Sequence, residues 1–308
     1  MSGRNVRIGR ITVELSNLGK TFFPDDGLAK GDLIDYYRAA AGRMLPFLRG
    51  RPLVMARYPD GIDGERFFQK NVPGYFPDWI SRIEVAKEGG TVCHVICENA
   101  ATIVYLANQG CIEPHVFLSR DRQLDHPDQL ILDLDPPGRE QFGDARRAAL
   151  LARELLEGEL GLTTFARTTG GNGLHVHVPL TARQDFDTVR GFARQAAGVL
   201  ATRDPGLVTV EQRKDKRGGR VYADVMRNAY AQTAVAPYSL RARPGAPVSA
   251  PLRWQEVSDE RLDPAQFSLR TMSRRLADTG DDDPWAGFGR HRQSLARPAS
   301  RLAKLPGA

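Results

Sequence analysis

Polar and apolar positions along the chain alternate between two rhythms, one of strand length and one of helical spacing. Near the start, RITVELSN predicts a strand closed by a turn. Apolar residues then recur at helical spacing through DLIDYYRAAAGRMLPFL, with Asp32 placed as its N-cap. PLVMARYPDG reads as strand and turn, RIEVAKEG and TVCHVIC as a hairpin, and AATIVYLANQG as a helix capped by Asn99. GERFFQKNVPGYFPDWI interleaves aromatic rings with charges. LILDLDPPG is an apolar strand ended by Pro136 and Pro137, because proline cannot donate to a ladder. After it come an amphipathic helix over GDARRAALLARELLEGEL and a strand, glycine turn and strand over TTFARTTGGNGLHVHVPL. A helix over FDTVRGFARQAAGVLA and a basic hairpin over EQRKDKRGGRVYADVMRN follow. The final helix, FSLRTMSRRLAD, leads into an acidic DDD and a basic tail expected to be mobile.

Strands outnumber simple βαβ units and hairpins recur, with no internal repeat. The expected class is therefore α/β in the α+β sense, with mixed, largely antiparallel sheets flanked by helices rather than a doubly wound parallel sheet.

The candidate chemistry begins inside the LILDLDPPG strand. Side chains alternate along a strand, so Asp133 and Asp135 share one face while Leu132 and Leu134 point into a core. Two adjacent carboxylates repel unless a positive group lies between them, and a divalent cation is the usual one. A solvated edge strand with two surface acids is the bland alternative. A phosphatase of the haloacid dehalogenase type also opens with DxD after an apolar strand, but there Thr or Val should follow where this chain has Pro136 and Pro137.

TTGGNGLHVHV supplies a second motif. Gly170, Gly171 and Gly173 allow a tight turn whose backbone N–H groups can face an anion, and His175 and His177 share one face of the next strand. It is neither a P-loop nor a dinucleotide fingerprint. VYADVMRN adds Asp224 on another apolar strand, with Arg227 three residues on. Three acids on two strands can hold two metal ions, activate a primer hydroxyl and steady a triphosphate leaving group. Arginines and His175 would neutralise phosphate charge.

Totals add less. The 308 residues suffice for one large domain or two packed modules, and the formal net charge of +6, mostly from arginine, favours phosphate-bearing partners. No stretch approaches the ~18 apolar residues of a membrane span, and the N-terminus lacks a signal-peptide core. Cys93, Cys97 and Cys111 are sparse and odd in number, which points to a reducing cytosol. With His94 they have a loose zinc-like spacing, but buried structural thiols fit it better.

LDLDPP, TTGGNGLHV and the block DVMRN…TAVAPYSLRARPGAPVS together resemble the polymerase domain of bacterial ATP-dependent DNA ligase D, in the archaeo-eukaryotic primase superfamily. The match runs from about SNLGKTFFP to APVSAPLRW. The resemblance implies a primase–polymerase fold with an RRM-like core. It implies one catalytic domain over 1–290, with an N-terminal αβ part over 1–110, a core over 111–260 and a basic tail over 291–308. It makes Asp133, Asp135 and Asp224 the metal-binding catalytic acids, and gives the incoming nucleotide His115, Thr168, Thr169, Gly171, His175, Arg227 and Arg241. Asn17, Lys20 and Lys30 would grip a downstream 5′-phosphate, and Phe67 and Phe68 would stack on template bases. Without the resemblance both phenylalanines would be assigned to the core.

The implied activity is template-directed extension of primers at short gaps and broken ends in non-homologous end joining. It implies two Mn2+ or Mg2+ ions as cofactors, NTPs preferred to dNTPs as substrates, and Ku and an ATP-dependent DNA ligase as partners, in the cytoplasm at the nucleoid. Two positions depart from the family pattern: Asn172 replaces a lysine in the glycine turn, and Ala56 stands where a second basic residue is common. A metal-dependent phosphoesterase or nuclease would explain the acids but not the phenylalanines or lysines. A decayed DNA-end-binding module would explain the charge but not three retained acids. No KxDG ligase motif occurs.

Overall fold

A computed structural model describes residues 3–278, 280 and 282–308; within the acidic DDD run, Asp281 lies outside the described residues. The chain divides into two units, each discontinuous in sequence. Met1–Phe117, Thr233–Ser249 and Phe267–Asp283 form the first, and Leu118–Gln232, Ala250–Gln266 and Pro284–Ala308 the second.

The first unit is built on an antiparallel sheet. Its strands run Thr233–Val235, Cys111–Phe117, Pro52–Arg57, Gly90–Ile96 and Arg82–Lys87, and Phe67–Gln69 also pairs with Pro52–Arg57. The expected hairpin over 82–96 is thus present. Helix Lys30–Leu48 buries Leu33, Tyr36, Tyr37, Ala40 and Met44, one face of its helical repeat. It starts two residues before the expected cap. Ala29 is the cap, and the Asp32 carboxylate, inside the first turn, accepts its N–H at 2.7 Å. Helix Ala100–Asn108 begins as read, with Asn99 accepting the Thr102 N–H at 2.9 Å.

The second unit carries a six-stranded sheet ordered Val208–Thr209, Val221–Asp224, Gln129–Asp135, Leu174–Pro179, Phe165–Thr168 and Pro251–Leu252. All neighbours are antiparallel except the first pair. Leu132, Leu134, Val176 and Val178 are fully buried, on the side of the sheet opposite the acids. Helices Phe142–Arg153 and Phe186–Arg203 pack on this sheet through small residues, among them Ala145, Ala148, Ala149 and Ala193. The first of them ends in a π-helical turn, Glu154–Glu159.

Two sequence expectations change here. The basic stretch 211–220 is a loop with one short turn, Lys214–Lys216, and the following strand Val221–Asp224 pairs parallel with Val208–Thr209. Clustered like charges and two left-handed glycines, Gly218 and Gly219, leave no ladder for a hairpin arm. The C-terminal segment expected to be mobile is packed. Trp285, Leu295 and Leu302 are buried, and Gln293 exchanges hydrogen bonds with the Thr163 backbone. No helix among the described residues is long and apolar enough to cross a membrane.

Candidate active site

The acids meet because three strands bring them onto one rung of the second unit's sheet. Asp133 lies directly opposite Asp224 on one neighbouring strand and opposite His175 on the other. Cross-strand partners point to the same face, so Asp224, Asp133 and His175 stand in a row, with Asp135 two residues along from Asp133. Ligand oxygens of Asp133, Asp135 and Asp224 all lie within 4.8 Å of one another; among the described residues no other cluster of three acids, histidines or cysteines is so placed. The zinc reading of the cysteines therefore has no support there. Cys97 and Cys111 are buried free thiols, each pushed up to about 12 by burial.

The electrostatics of the row fit a cation. Burial, then Asp133 and Asp224, push the Asp135 carboxyl up to about 7, despite Arg227 and Arg217 nearby. Asp224 is also raised, first by burial, although the Met226 N–H donates to it at 2.7 Å. Carboxylates crowded until they resist ionisation, with oxygen-only donors, suit a hard divalent cation such as Mg2+ or Mn2+. His175 Nε2 sits 3.1 Å from Asp133 Oδ1, and Arg227 Nε donates to Asp133 Oδ2 at 3.3 Å.

The surrounding frame is backbone-specific. Asn228, fully buried, accepts the Ile131 N–H at 2.9 Å and donates to the Ile131 carbonyl at 2.7 Å. It extends the acid strand's pairing and fixes the turn that presents Arg227. In the glycine turn, Thr169 Oγ1 accepts the N–H groups of Gly171 at 3.1 Å and Gly173 at 3.3 Å. Gly170 is left-handed at φ 66°. Gly173 runs so close to the acid strand that a Cβ there would collide with the Leu134 carbonyl. Thr168 is fully buried, and its hydroxyl oxygen accepts the Ala250 N–H at 2.9 Å, which ties the edge strand in place. His177 shares the face of His175 as expected but is spent on structure, accepting from Arg167 Nε at 2.9 Å and facing Gln129 Oε1 at 3.0 Å.

The remaining sequence-derived residues lie in the first unit. His115 Nε2 is 3.2 Å from Glu113 Oε2, and Arg241 Nε donates to Glu113 Oε1 at 3.0 Å. Phe67 and Phe68 are exposed, 44% and 51%, which a core role would forbid. Phe67 pairs with Arg57 and Phe68 with Ala56, so the rings leave opposite faces of the sheet. Phe68 meets the His115 ring edge-on at 5.8 Å, and the Arg66 guanidinium lies 4.6 Å from the Phe68 ring.

Asn17, Lys20 and Lys30 also converge. Asn17 takes a left-handed φ of 54°, turning the chain so that Lys20 N–H returns to its carbonyl at 3.0 Å, and the Lys30 N–H bonds the Lys20 carbonyl at 2.8 Å. Lys20 is ion-paired with Asp60. Burial, then Lys20 and Arg57, pull the Lys30 ammonium down to about 8. Two residues escaped the sequence reading. Glu113 could have been found as an acid two positions before His115 on one strand. Asn228 carries no signal of its own beyond following Arg227.

Residues 29–285 match the family described as LigD, primase-polymerase domain. The multifunctional non-homologous end joining DNA repair protein LigD of Mycobacterium tuberculosis (strain ATCC 25618 / H37Rv) is 34% identical over 277 residues, covering 87% of this chain and 36% of that protein. Its Pseudomonas aeruginosa counterpart is 33% identical over 289 residues, 94% of this chain and 34% of that protein. The bifunctional LigD of Bacillus subtilis is 32% identical over 269 residues, 87% and 43% of the two chains. The chain thus spans less than half the length of these relatives. Among solved structures, the polymerase domain of Mycobacterium tuberculosis ligase D in complex with DNA superposes with a TM-score of 0.84 at 32% identity, covering 91% of this chain and 99% of that one. With its motifs, its sheets and these relatives in agreement, this chain belongs to the LigD primase–polymerase domain family, a family of nucleotidyltransferases.

Proposed function

We propose that the protein extends a primer strand by nucleotidyl transfer across short gaps and at broken DNA ends, in non-homologous end joining. The observation that carries this reading is the acid row Asp133, Asp135 and Asp224, flanked by His175, Arg227 and a glycine turn. In the reaction the primer 3′-hydroxyl gives up its proton to solvent, its oxygen bonds the α-phosphorus of the nucleotide, and the bond to the departing pyrophosphate breaks. Asp133, Asp135 and Asp224 would hold a pair of divalent ions, manganese in preference to magnesium, which when bound would lower the hydroxyl's pKa and neutralise phosphate charge. Arg227 and His175 orient Asp133 and meet the triphosphate, joined by Thr169 and Gly171; Thr168 holds their strand in place. His115 and Arg241, in the first unit, are also assigned to nucleotide binding.

Asn17, Lys20 and Lys30 bind the 5′-phosphate of the downstream strand. The depressed Lys30 supports this, because an ammonium disfavoured first by burial and then by Lys20 and Arg57 gains from a bound oxyanion. Phe67 and Phe68 stack on template bases, which fits two exposed rings on opposite faces of one strand. Ribonucleotides are the favoured substrates, Ku and an ATP-dependent DNA ligase the partners at the break, and the nucleoid the place of action. A nuclease using the same acids would have no need of these rings or lysines, and a decayed binding module would have no reason to retain all three acids.

Primer extension on a gapped duplex with Mn2+ tests the reading. Extension stronger with ribonucleotides and with a downstream 5′-phosphate is expected. Asp133→Ala and Asp135→Ala should each abolish it while DNA binding persists; extension surviving in either variant defeats the assignment.

A further inference from the structure

Glu113 sits in the first unit behind two residues assigned to the nucleotide, without sharing their exposure. Its side chain is 7% exposed, against 14% for His115 and 19% for Arg241. Three donors converge on its two oxygens. Oε1 accepts from Arg241 Nε at 3.0 Å and from the Ala242 N–H at 2.9 Å, and Oε2 faces His115 Nε2 at 3.2 Å. Only an ionised carboxylate accepts at both oxygens and donates at neither. Burial pushes the Glu113 carboxyl up, but the bonds from His115, Arg241 and Ala242 outweigh it and bring it down to about 2. The charge is therefore present throughout the working pH range.

The opposite side of this arrangement is also clamped. Tyr37 donates its hydroxyl to the Ile112 carbonyl and accepts the Leu240 N–H at 3.0 Å, so one phenol spans the residues just before Glu113 and Arg241. The segment carrying Arg241 closes on itself, with Arg241 N–H on the Pro247 carbonyl at 2.8 Å and a bridge from Leu240 to Val248. Strand Cys111–Phe117 is paired on both edges, which makes it a fixed base for Glu113.

We infer that Glu113 is a positioning residue for nucleotide binding: a buried carboxylate latch that aims the Arg241 guanidinium and sets the His115 ring. This rests on the proposed assignment of His115 and Arg241 to the nucleotide, and adds the residue that makes them act together. Glu113 touches no substrate. It sets the direction of the Arg241 fork, and it makes Nε2 the protonated nitrogen of His115, so the ring faces the nucleotide in one defined state.

Steady-state extension of a templated primer by wild type, Glu113→Gln and Glu113→Asp tests the latch, with thermal melting and DNA affinity measured alongside. Glu113→Gln should raise KM for the nucleoside triphosphate roughly tenfold or more with a smaller fall in kcat, while DNA affinity stays unchanged. Glu113→Asp, which keeps the charge, should recover part of that loss. Combined with His115→Ala and Arg241→Ala, Glu113→Gln should add little further to KM, because it acts through them. An unchanged KM in Glu113→Gln overturns the latch, as do fully additive effects or a parallel collapse of KM, kcat and DNA affinity. If wild type extends no primer, the polymerase reading falls and the latch with it; if wild type extends and only the variants behave otherwise than expected, the latch alone falls.

Discussion

Lys30 holds its ammonium against the Ser16 carbonyl at 2.8 Å, and burial with Lys20 and Arg57 nearby brings it down to about 8. Below that pH the group is protonated in both folded and unfolded chains, and folding carries the cost of confining the charge. As pH rises from about 8 toward the ordinary 10.5, only the unfolded chain still holds the proton on average, so this cost disappears and Lys30's effect on stability improves. An oxyanion bound at neutral pH should offset the same cost. Inorganic phosphate is expected to raise the Tm of wild type and to do much less for Lys30→Met; equal shifts in melting scans would remove Lys30 from the anion site. Glu113 runs the other way. Its carboxyl lies at about 2 rather than 4.5, so it contributes stability above its unfolded pKa that is lost as pH falls through about 2. That contribution is about 3 kcal/mol at most. Glu113→Gln should therefore flatten the acid limb of a stability curve measured by urea unfolding from pH 6 down to about pH 2.5.

At the scale of elements, the site depends on how closely the glycine turn approaches the acid strand and on how the next turn is pinned to it. Gly173→Ala forces a Cβ into the Leu134 carbonyl, backbone that cannot yield cheaply. A loss of about 1–3 kcal/mol is expected, together with a marked fall in extension, since Asp135 is the adjacent residue on that strand. Asn228→Ala strips the Ile131 backbone groups of their partners and should cost about 1–3 kcal/mol. Because Arg227 precedes Asn228, extension should fall further than stability explains. Urea unfolding beside primer extension separates the two effects. Both positions were partly legible in sequence: the glycine turn was expected at 170–173, and Arg227 was noted beside Asp224. What periodicity could not express was that Gly173 is needed for an approach between strands, or that Asn228 pairs like a strand residue.

For the whole molecule, the net charge of +6 and the many arginines predict that the proposed DNA binding is salt-dependent. The logarithm of affinity for a 5′-phosphorylated gap should fall linearly with the logarithm of salt concentration. Replacing Lys20 and Lys30 together should lower the magnitude of that slope by about two, one for each phosphate contact removed. The double variant should also lose its preference for the phosphorylated gap; an unchanged slope and preference in fluorescence anisotropy would refute the assignment. The C-terminal segment shows the reach of tertiary packing at this scale. Its charge suggested a loose tail, yet Leu295 and Leu302 are buried and Gln293 pairs with the Thr163 backbone.

The sequence by itself determined most of the elements and the acids and glycine turn they carry. Strand alternation put Asp133 and Asp135 on one face, prolines ended that strand, and Asn99 marked a helix start. Its motifs were specific enough to reach the family, because carboxylates in an apolar strand and a glycine turn are local patterns readable within a few residues. Only the tertiary structure decided which residues from distant segments share a rung. Asp224 faces Asp133 across 91 positions of sequence, and Glu113 holds Arg241 across 128. Register and latch both arise when strands far apart in the chain pair and bury polar groups together, and no local periodicity encodes that choice. Exposure was settled the same way: without the family resemblance Phe67 and Phe68 read as core residues, and the pairing of a short strand leaves both rings in solvent.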